Sequence, residues 1–174
     1  MEIMLDLETM GNTPRAPIVA IGAIEFTPGC SALGRGFYAQ VNLEDSARFG
    51  EMDASTVLWW MQQDTAARQA LYLGDRMMLA PALMEFSRWL ESCIDGPSSV
   101  GLWGNGAAFD NVILRNAYAR TGLPTPWQFW QDRCFRTVRA LHPLVQPPER
   151  VGVHHNALDD AKHQALHLLQ ILQE

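Results

Sequence analysis

Residues 2–8 of this chain alternate between two faces, and this alternation constrains the fold more than any other sequence feature. The first face is aliphatic and the second ends in two acids: Ile3, Leu5 and Leu7 against Met4, Asp6 and Glu8. A period of two residues is typical of a β-strand. Residues 18–26 form a β-branched apolar run, and residues 35–43 indicate a third strand. Three strands joined by short polar turns predict an antiparallel meander.

Helical spacing replaces the strand pattern after residue 50. One helix is predicted to begin at Asp53 or Ser55, and another is predicted to end near Gly122. Four more are predicted to cover residues 64–73, 80–93, 136–142 and 157–173. A short strand is predicted at residues 100–103. Three antiparallel strands followed by alternating helices and strands predict an α/β fold with a mixed sheet flanked by helices. We expect a single domain spanning residues 1–174.

The composition fits one globular domain in a reducing compartment. The chain has 174 residues, of which 48% are hydrophobic and 18% charged, and a domain of this size buries about 70% of its unfolded surface. Three widely spaced cysteines argue against a disulfide framework or a zinc site. No apolar run approaches the ~20 residues of a membrane span, and the N-terminus lacks the pattern of a secretory signal. A cytoplasmic protein without a membrane partner is expected.

The charge of the chain is acidic but its cations are unevenly distributed. The net charge is −6, whereas proteins that hold nucleic acid through its phosphates usually carry a basic face. Lys162 is the only lysine, and six arginines fall between residues 115 and 150: Arg115, Arg120, Arg133, Arg136, Arg139 and Arg150. They could form a phosphate-facing rim or an ordinary solvated surface, and the sequence leaves both interpretations open.

Asp6 and Glu8 are the first candidate functional residues. Two residues apart on one strand, they leave the same face about 6.6–6.8 Å apart along the strand. On a central strand, two buried acids are costly unless a cation neutralises them. On an edge strand they would simply face water. The pair alone does not decide between these alternatives.

Two further segments carry acids whose local geometry points inward. Asp110 follows a glycine-rich turn in the first turn of a helix, where the helix dipole favours a carboxylate. Asn156 is a good N-cap for the last helix, and Asp159 is expected to reach back to it in a capping box. Asp160 is expected to face the sheet. His155 lies just before this helix, on flexible backbone that is free to swing toward Asp160.

These motifs resemble those of the DEDDh (DnaQ-like) 3′–5′ exonucleases. Residues 6–11 match the first motif, Asp-x-Glu-Thr-x-Gly, and Phe109-Asp110 resembles the second. His155, five residues before Asp160 within His-x-Ala-x-x-Asp-Ala, resembles the third. The resemblance covers essentially the whole chain. Within the family, it is similar to a phage and prophage group described as exodeoxyribonuclease VIII-like or 3′–5′ exoribonuclease-like.

The resemblance implies a ribonuclease H-like fold and a two-metal site. Asp6, Glu8, Asp110 and Asp160 would bind two divalent cations, Mg²⁺ or Mn²⁺, for which oxygen ligands are suited. His155 would be the general base for the attacking water, and the products would be nucleoside 5′-monophosphates. The implied partner is the 3′ end of a single-stranded DNA or RNA, and a homodimer is possible because similar enzymes often dimerise.

Residues around the first motif are the candidate substrate contacts. In similar enzymes the turn formed by Thr9, Met10 and Gly11 meets the 3′-terminal nucleotide, although Met10 could equally fill the core. Trp59 and Trp60 could stack on bases, but helical spacing favours a core position for Trp60. The roles of Asn105, Trp59 and Trp60 stay open.

Two alternatives keep the fold but change the function. One is a catalytically silent nucleic-acid-binding protein, and the other is a proofreading subunit that works bound to a polymerase. The presence of all four acids and of His155 disfavours the first alternative.

Overall fold

The computed structural model describes residues 1–93 and 100–173. Five strands form one sheet: β1 (Glu2–Thr9), β2 (Ile18–Phe26), β3 (Leu33–Gln40), β4 (Gly101–Gly104) and β5 (Asp132–Cys134). Within the described ranges, seven α-helices flank it: α1 (Leu43–Ser46), α2 (Ala54–Met61), α3 (Thr65–Gln69), α4 (Leu79–Cys93), α5 (Asp110–Thr121), α6 (Phe135–Leu141) and α7 (Ala157–Ile171). A short 3₁₀ helix, Phe129–Gln131, precedes β5.

The sheet has the order β3-β2-β1-β4-β5, so β1 is its central strand. β1, β2 and β3 form the antiparallel meander, whereas β4 runs parallel to β1 and β5 parallel to β4. The predicted mixed α/β sheet is confirmed. The central place of β1 also excludes the edge-strand alternative for Asp6 and Glu8.

The two faces of β1 bury different partners, as its alternation requires. Ile3, Leu5 and Leu7 pack in the larger core cluster, which α4 and α5 complete. Met4 leaves the opposite face and packs against the apolar residues of α7, including Ala161 and Leu168. Asp6 and Glu8 follow Met4 on this second face, so they point toward the N-terminal half of α7.

Gly22 on β2 allows α7 to lie directly on the sheet beside the acids. It pairs with Asp6 across the β1–β2 ladder. A Cβ atom at Gly22 would lie 2.1 Å from the carbonyl carbon of Ala157, at the start of α7. Because that contact is with backbone, it cannot be relieved by turning a side chain. The absence of a Cβ at residue 22 therefore determines how closely the start of α7 approaches β1.

We expect Gly22→Ala to destabilise the protein by about 2–3 kcal/mol, because overpacking against backbone forces α7 outward. For a chain of this size, that loss lowers the melting temperature by roughly 4–12 °C. Gly36→Ala is the matched control, since a Cβ there would meet the movable side chain of Leu158 at 3.3 Å. Thermal unfolding measures both variants. Equal melting temperatures for the two variants would contradict the close approach at Gly22.

Several predicted boundaries were wrong by a few residues. The third strand ends at Gln40 rather than at residue 43, because the Asn42 side chain accepts a hydrogen bond from Asp45 N (3.1 Å) and caps α1. The helix predicted at residues 64–73 ends at Gln69. The three-residue strand β5 was missed.

Among the helices of the described residues, none has both the length and the apolar character to span a membrane.

Candidate active site

Three acids from two elements lie together where β1 ends. Asp6 and Glu8 come from β1, and Asp160 comes from the first turn of α7. One carboxylate oxygen of each lies within 4.8 Å of the corresponding oxygens of the other two. Glu8 and Asp160 are each 7% exposed and Asp6 is half-buried, so most of the cluster is shielded from bulk water. The structure thus brings together three of the four predicted metal ligands.

Asp110 joins the cluster from the neighbouring parallel strand. β4 pairs Gly104 with Leu5, and the turn after Gly104 leads into α5 with Asp110 as its first residue. Asp110 is 3% exposed, and its Oδ1 accepts a hydrogen bond from the backbone of Leu7 at 3.3 Å. Leu7 lies between Asp6 and Glu8, so the fourth predicted acid reaches the same end of β1.

Burial raises the pKa values of Asp6, Glu8 and Asp110, and repulsion from neighbouring acids adds to the rise at Asp6 and Glu8. Desolvation is the main cause of the raised pKa of Asp6, with repulsion from Asp110, Glu8 and Asp160 adding to it. Desolvation and repulsion from Asp160 and Asp110 raise the pKa of Glu8 to about 8. Desolvation raises the pKa of Asp110 to about 7, although backbone hydrogen bonds and Arg136 oppose the rise. The fold gathers negative charge that the surrounding protein only partly compensates.

The cluster fits hard divalent cations. All four acids offer carboxylate oxygens, the ligands that Mg²⁺ and Mn²⁺ prefer. Within the described part of the chain, the buried Oε1 of Glu8 has no hydrogen-bond partner. A buried carboxylate oxygen without a donor normally requires a cation or ordered water. Positive charge supplied at this point would remove the repulsion among the acids.

Two residues that sequence reasoning missed contact the predicted ligands. Gln164 donates a hydrogen bond through Nε2 to Oδ1 of Asp6 at 2.8 Å. It lies one helical turn after Asp160, so the i, i+4 spacing on α7 was a usable signal. Arg150 forms an ion pair with Oδ1 of Asp160 from the loop before α7. No local pattern of the sequence indicated this second contact.

His155 is held at the site rather than free to swing. Its φ of 63° lies in the left-handed region, and its backbone N–H donates to Oδ2 of Asp160 at 3.1 Å. Its ring packs edge-on against Trp59 and Trp60, with ring centroids 4.8 and 5.9 Å away. The sequence predicted flexible backbone here; in the structure, the Asp160 carboxylate and the two indoles contact the residue. Burial is the main cause of the lowered pKa of His155.

The capping prediction for α7 was half correct. Asn156 is the N-cap, and its Oδ1 accepts hydrogen bonds from Leu158 N and Asp159 N. Asp159 does not close a capping box. Its Oδ2 instead accepts a hydrogen bond from Val153 N at 2.9 Å, because the loop before the helix passes over its first turn. The loop that carries His155 is therefore tied to α7 at both ends.

The three substrate contacts predicted at the end of β1 and in the turn after it do not all face the cleft. Thr9 and Gly11 line the cleft above the acids. Thr9 Oγ1 donates to Gly11 O at 2.7 Å, which fixes the turn. Met10 is 7% exposed and packs with Val19 and Trp60 in a separate cluster. The packing favours the core role that the sequence left open for Met10, and the predicted core position of Trp60 is confirmed.

The arginines between residues 115 and 150 do not all face the same part of the structure. Arg136, Arg139 and Arg150 line a cleft of about 850 Å³ that contains the acids. Arg136 donates to Asn105 O at 2.6 Å, next to the glycine-rich turn, while Arg139 lies over the ring of Phe135. Arg115 instead forms an ion pair with Asp132. The cleft thus has an acidic floor and a basic wall, although the net charge of the chain is −6. The four acids form the floor, and the wall consists of Arg136, Arg139 and Arg150.

Comparison with protein families gives a match over nearly the whole chain. The model of a family described as the 3′–5′ exoribonuclease Rv2179c-like domain matches residues 1–172. The exodeoxyribonuclease of Enterobacteria phage T4 is 24% identical over 157 residues, which cover 78% of this chain and 69% of that protein.

Solved structures of nucleases share the fold. The nuclease domain of 3′hExo, a DEDDh family member bound to rAMP, has a TM-score of 0.66 at 13% identity and covers 99% of this chain and 91% of its own. A complex of E. coli ExoI with single-stranded DNA, in a zinc-bound form, has a TM-score of 0.59 at 18% identity, covering 94% of this chain and 38% of its own. The predicted ribonuclease H-like fold is confirmed.

Proposed function

Because the chain belongs to the 3′–5′ exoribonuclease Rv2179c-like family and is a 3′–5′ exonuclease, we propose that Asp6, Glu8, Asp110 and Asp160 are its metal ligands. The observation that carries this proposal is the convergence of the four acids at the end of β1. Oxygens of Asp6, Glu8 and Asp160 lie within 4.8 Å of one another. Asp110 accepts a hydrogen bond from the residue between the first two.

Two divalent cations, Mg²⁺ or Mn²⁺, fit this ligand set. When bound, they supply positive charge that stabilises the attacking and the leaving oxygen of the scissile phosphate. Gln164 holds Asp6 through its amide, and Arg150 neutralises part of the charge of Asp160. These contacts orient the carboxylates before the substrate arrives, which is the usual role of residues around metal ligands.

His155 is the general base in this proposal. Its lowered pKa leaves the imidazole neutral near pH 7, the form that accepts a proton from water. The backbone hydrogen bond to Asp160 and the packing against Trp59 and Trp60 hold the ring at the acidic cluster. The attacking water loses its proton to the imidazole as its oxygen bonds to phosphorus. The bond from phosphorus to the 3′ oxygen of the preceding nucleotide breaks, and this oxygen takes a proton from solvent water to become the 3′-hydroxyl of the shortened strand. The other product is a nucleoside 5′-monophosphate.

The proposed substrate is the 3′ end of single-stranded DNA or RNA. Thr9 and Gly11 border the acids and are placed to contact the terminal nucleotide. Trp59, 42% exposed on the same side of the cleft, offers a ring face for a base. The basic wall of Arg136, Arg139 and Arg150 faces the phosphates of the strand. A single strand can enter such a cleft, whereas an intact duplex must first fray.

The basic wall leads us to a quantitative prediction about how oligonucleotide affinity depends on salt concentration. Each phosphate neutralised on a single strand contributes about −0.7 to the slope of log K against log salt concentration. Arg139→Ala in an Asp6→Asn background is expected to weaken oligonucleotide binding and to make this slope less steep by about 0.7. The control is Arg133→Ala, from the same stretch of sequence but bonded to Trp130 O and Asp132 O. Fluorescence anisotropy at several salt concentrations measures both, and equal slopes would contradict the assignment.

Side-by-side digestion tests the proposed function. Matched single-stranded and duplex DNA and RNA, labelled at either end, are incubated with Mg²⁺, Mn²⁺ or EDTA. We expect a ladder that shortens from the 3′ end of single strands, with no cleavage in EDTA. Binding without cleavage by the wild type would favour the catalytically silent alternative. Activity only with an added polymerase would favour the proofreading alternative, and light scattering tests the predicted homodimer.

A further inference from the structure

His154 has no part in the proposed reaction, yet its ring lies at the acidic cluster. The rings of His154 and His155 are stacked, with centroids 3.8 Å apart and an interplanar angle of 24°. One ligand atom each of His154, His155 and Asp160 lies within 4.8 Å of those of the other two. The spacing of His154 to Asp160 in the sequence gave no indication of this arrangement.

The left-handed backbone of His155 produces the stack. In extended chain, consecutive side chains point to opposite sides. A φ of 63° at His155 is uncommon for a residue other than glycine, and it brings the two imidazoles to the same side. The hydrogen bond from His155 N to Asp160 Oδ2 and the indoles of Trp59 and Trp60 support this conformation. The pairing of the two histidines is therefore supported by three residues outside the pair: Asp160, Trp59 and Trp60.

The ligand chemistry of this trio differs from that of the four acids. Two imidazole nitrogens and one carboxylate oxygen suit zinc and neighbouring transition metals, whereas carboxylates alone suit Mg²⁺ and Mn²⁺. Tetrahedral zinc holds these atoms at about 2.0–2.2 Å, which places them about 3.4 Å from one another. Rotation of the exposed His154 side chain and a small adjustment of Asp160 close the remaining distance. Arg150, which already contacts Asp160, makes the site weaker than a closed structural zinc site.

We propose that His154, His155 and Asp160 form an inhibitory site for zinc or a similar transition-metal ion. The inhibition, though not the binding, rests on the roles proposed above for His155 and Asp160. Zinc bound there occupies the nitrogen lone pair of His155 that would accept the proton from water. It also takes a carboxylate oxygen of Asp160. Zinc therefore inhibits the enzyme even when Mg²⁺ is in excess.

Measurements of zinc affinity distinguish a site that includes His154 from a site made of the four acids. Zinc affinity is measured by competition with a chromogenic chelator for the wild type, His154→Ala, and the double variant Asp6→Asn/Glu8→Gln. We expect the double variant to keep the wild-type zinc affinity. His154→Ala is expected to weaken zinc binding by at least about tenfold, since even the loss of an outer contact to a metal ligand costs that much. Circular dichroism checks that the variants are folded.

Inhibition provides the functional measurement. With excess Mg²⁺ and a labelled oligonucleotide, His154→Ala is expected to digest at the wild-type rate without zinc. It should need at least about tenfold more zinc for half-inhibition, in line with the binding loss. Equal zinc affinity in the wild type and His154→Ala, or loss of affinity only in the double variant, would overturn the proposal. Zinc binding that depends on His154 in a protein without exonuclease activity would refute the proposed function and leave the site standing.

Discussion

Asp6→Asn is expected to abolish exonuclease activity and, in EDTA, to raise the melting temperature. The loss of a metal ligand should lower kcat by more than about a thousandfold, comparable to the removal of a central catalytic group in other hydrolases. The gain in stability comes from removing one of four crowded acids, because one close pair of like charges costs roughly 4 kcal/mol at an effective dielectric of 20. The asparagine Oδ1 can still accept the hydrogen bond from Gln164.

We expect the free energy of unfolding to rise by about 2 kcal/mol, half the repulsion of one close pair, because the remaining acids share the rest by protonation. The melting temperature then rises by about 4–8 °C. Asp160→Asn is the matched comparison: it removes the same charge type, but Arg150 already pairs with Asp160. It should lose activity equally and gain less stability. A lower melting temperature for Asp6→Asn than for the wild type would contradict the crowding.

The same crowding predicts the sign of the pH dependence. Acids whose folded pKa is raised bind more protons in the folded state, so stability is highest at low pH and falls as pH rises. For Glu8 the loss extends from its ordinary pKa of 4.5 to about 8, and for Asp110 from 3.8 to about 7. In EDTA, the wild type should lose stability across this range and Asp6→Asn should lose less. Urea unfolding at several pH values measures the difference.

His155→Ala is expected to lose most of its rate while retaining its affinity for the catalytic cations. General-base catalysis contributes about 10²–10⁴-fold, so kcat should fall by that factor. His154→Ala is the matched control, because it removes the neighbouring imidazole without touching the proposed base. We expect its rate with Mg²⁺ to equal that of the wild type. Single-turnover digestion with saturating Mg²⁺ measures all three proteins.

The pH profile and metal binding identify the role of His155. The pKa of this imidazole lies below its ordinary value of 6.5, mainly because of burial. The wild-type rate should therefore be constant near neutral pH and fall once the pH drops below that lowered pKa. His155→Ala should lose this acid limb. Calorimetry with Mn²⁺ should give equal affinities for the wild type and the variant; a large loss in the variant would make His155 a ligand instead.

Local sequence patterns predicted most of the strands and helices and the positions of the four acids at the site. The alternation of residues 2–8 placed Asp6 and Glu8 on one face of a strand, because side-chain direction in a strand depends only on parity. The first turn of a helix placed Asp110, and the apolar stripe of the last helix placed Asp160 on the side that faces the sheet. The sequence likewise predicted Asp53 or Ser55 as the cap at the start of one helix and Gly122 at the end of another, and Asp53 and Gly122 hold those positions. Each of these inferences requires only neighbours within one or two turns.

Contacts between distant segments could not be read in this way. The amide of Gln164 meets a carboxylate 158 residues away. The i, i+4 spacing places Gln164 on the same face of α7 as Asp160, but no local pattern specifies Asp6 as its partner. Arg150 and Arg139 line the cleft that contains the acids, whereas Arg115 pairs with Asp132, although all belong to one arginine-rich stretch. The three-residue β5 is too short to show periodicity, and its pairing with β4 defines it as a strand.

Sequence patterns predicted the order of the strands and helices apart from α1 and β5, the mixed sheet, and the four acids and one histidine proposed for the site. Periodicity, capping and motif spacing are properties of short stretches of chain. Three features emerge only in the folded chain: Met10 is buried, His155 has a left-handed conformation beside His154, and a basic wall faces the acids. Those features depend on how α7 and α2 pack against the end of β1. Packing free energy is summed over many distant residues, so no local pattern specifies it.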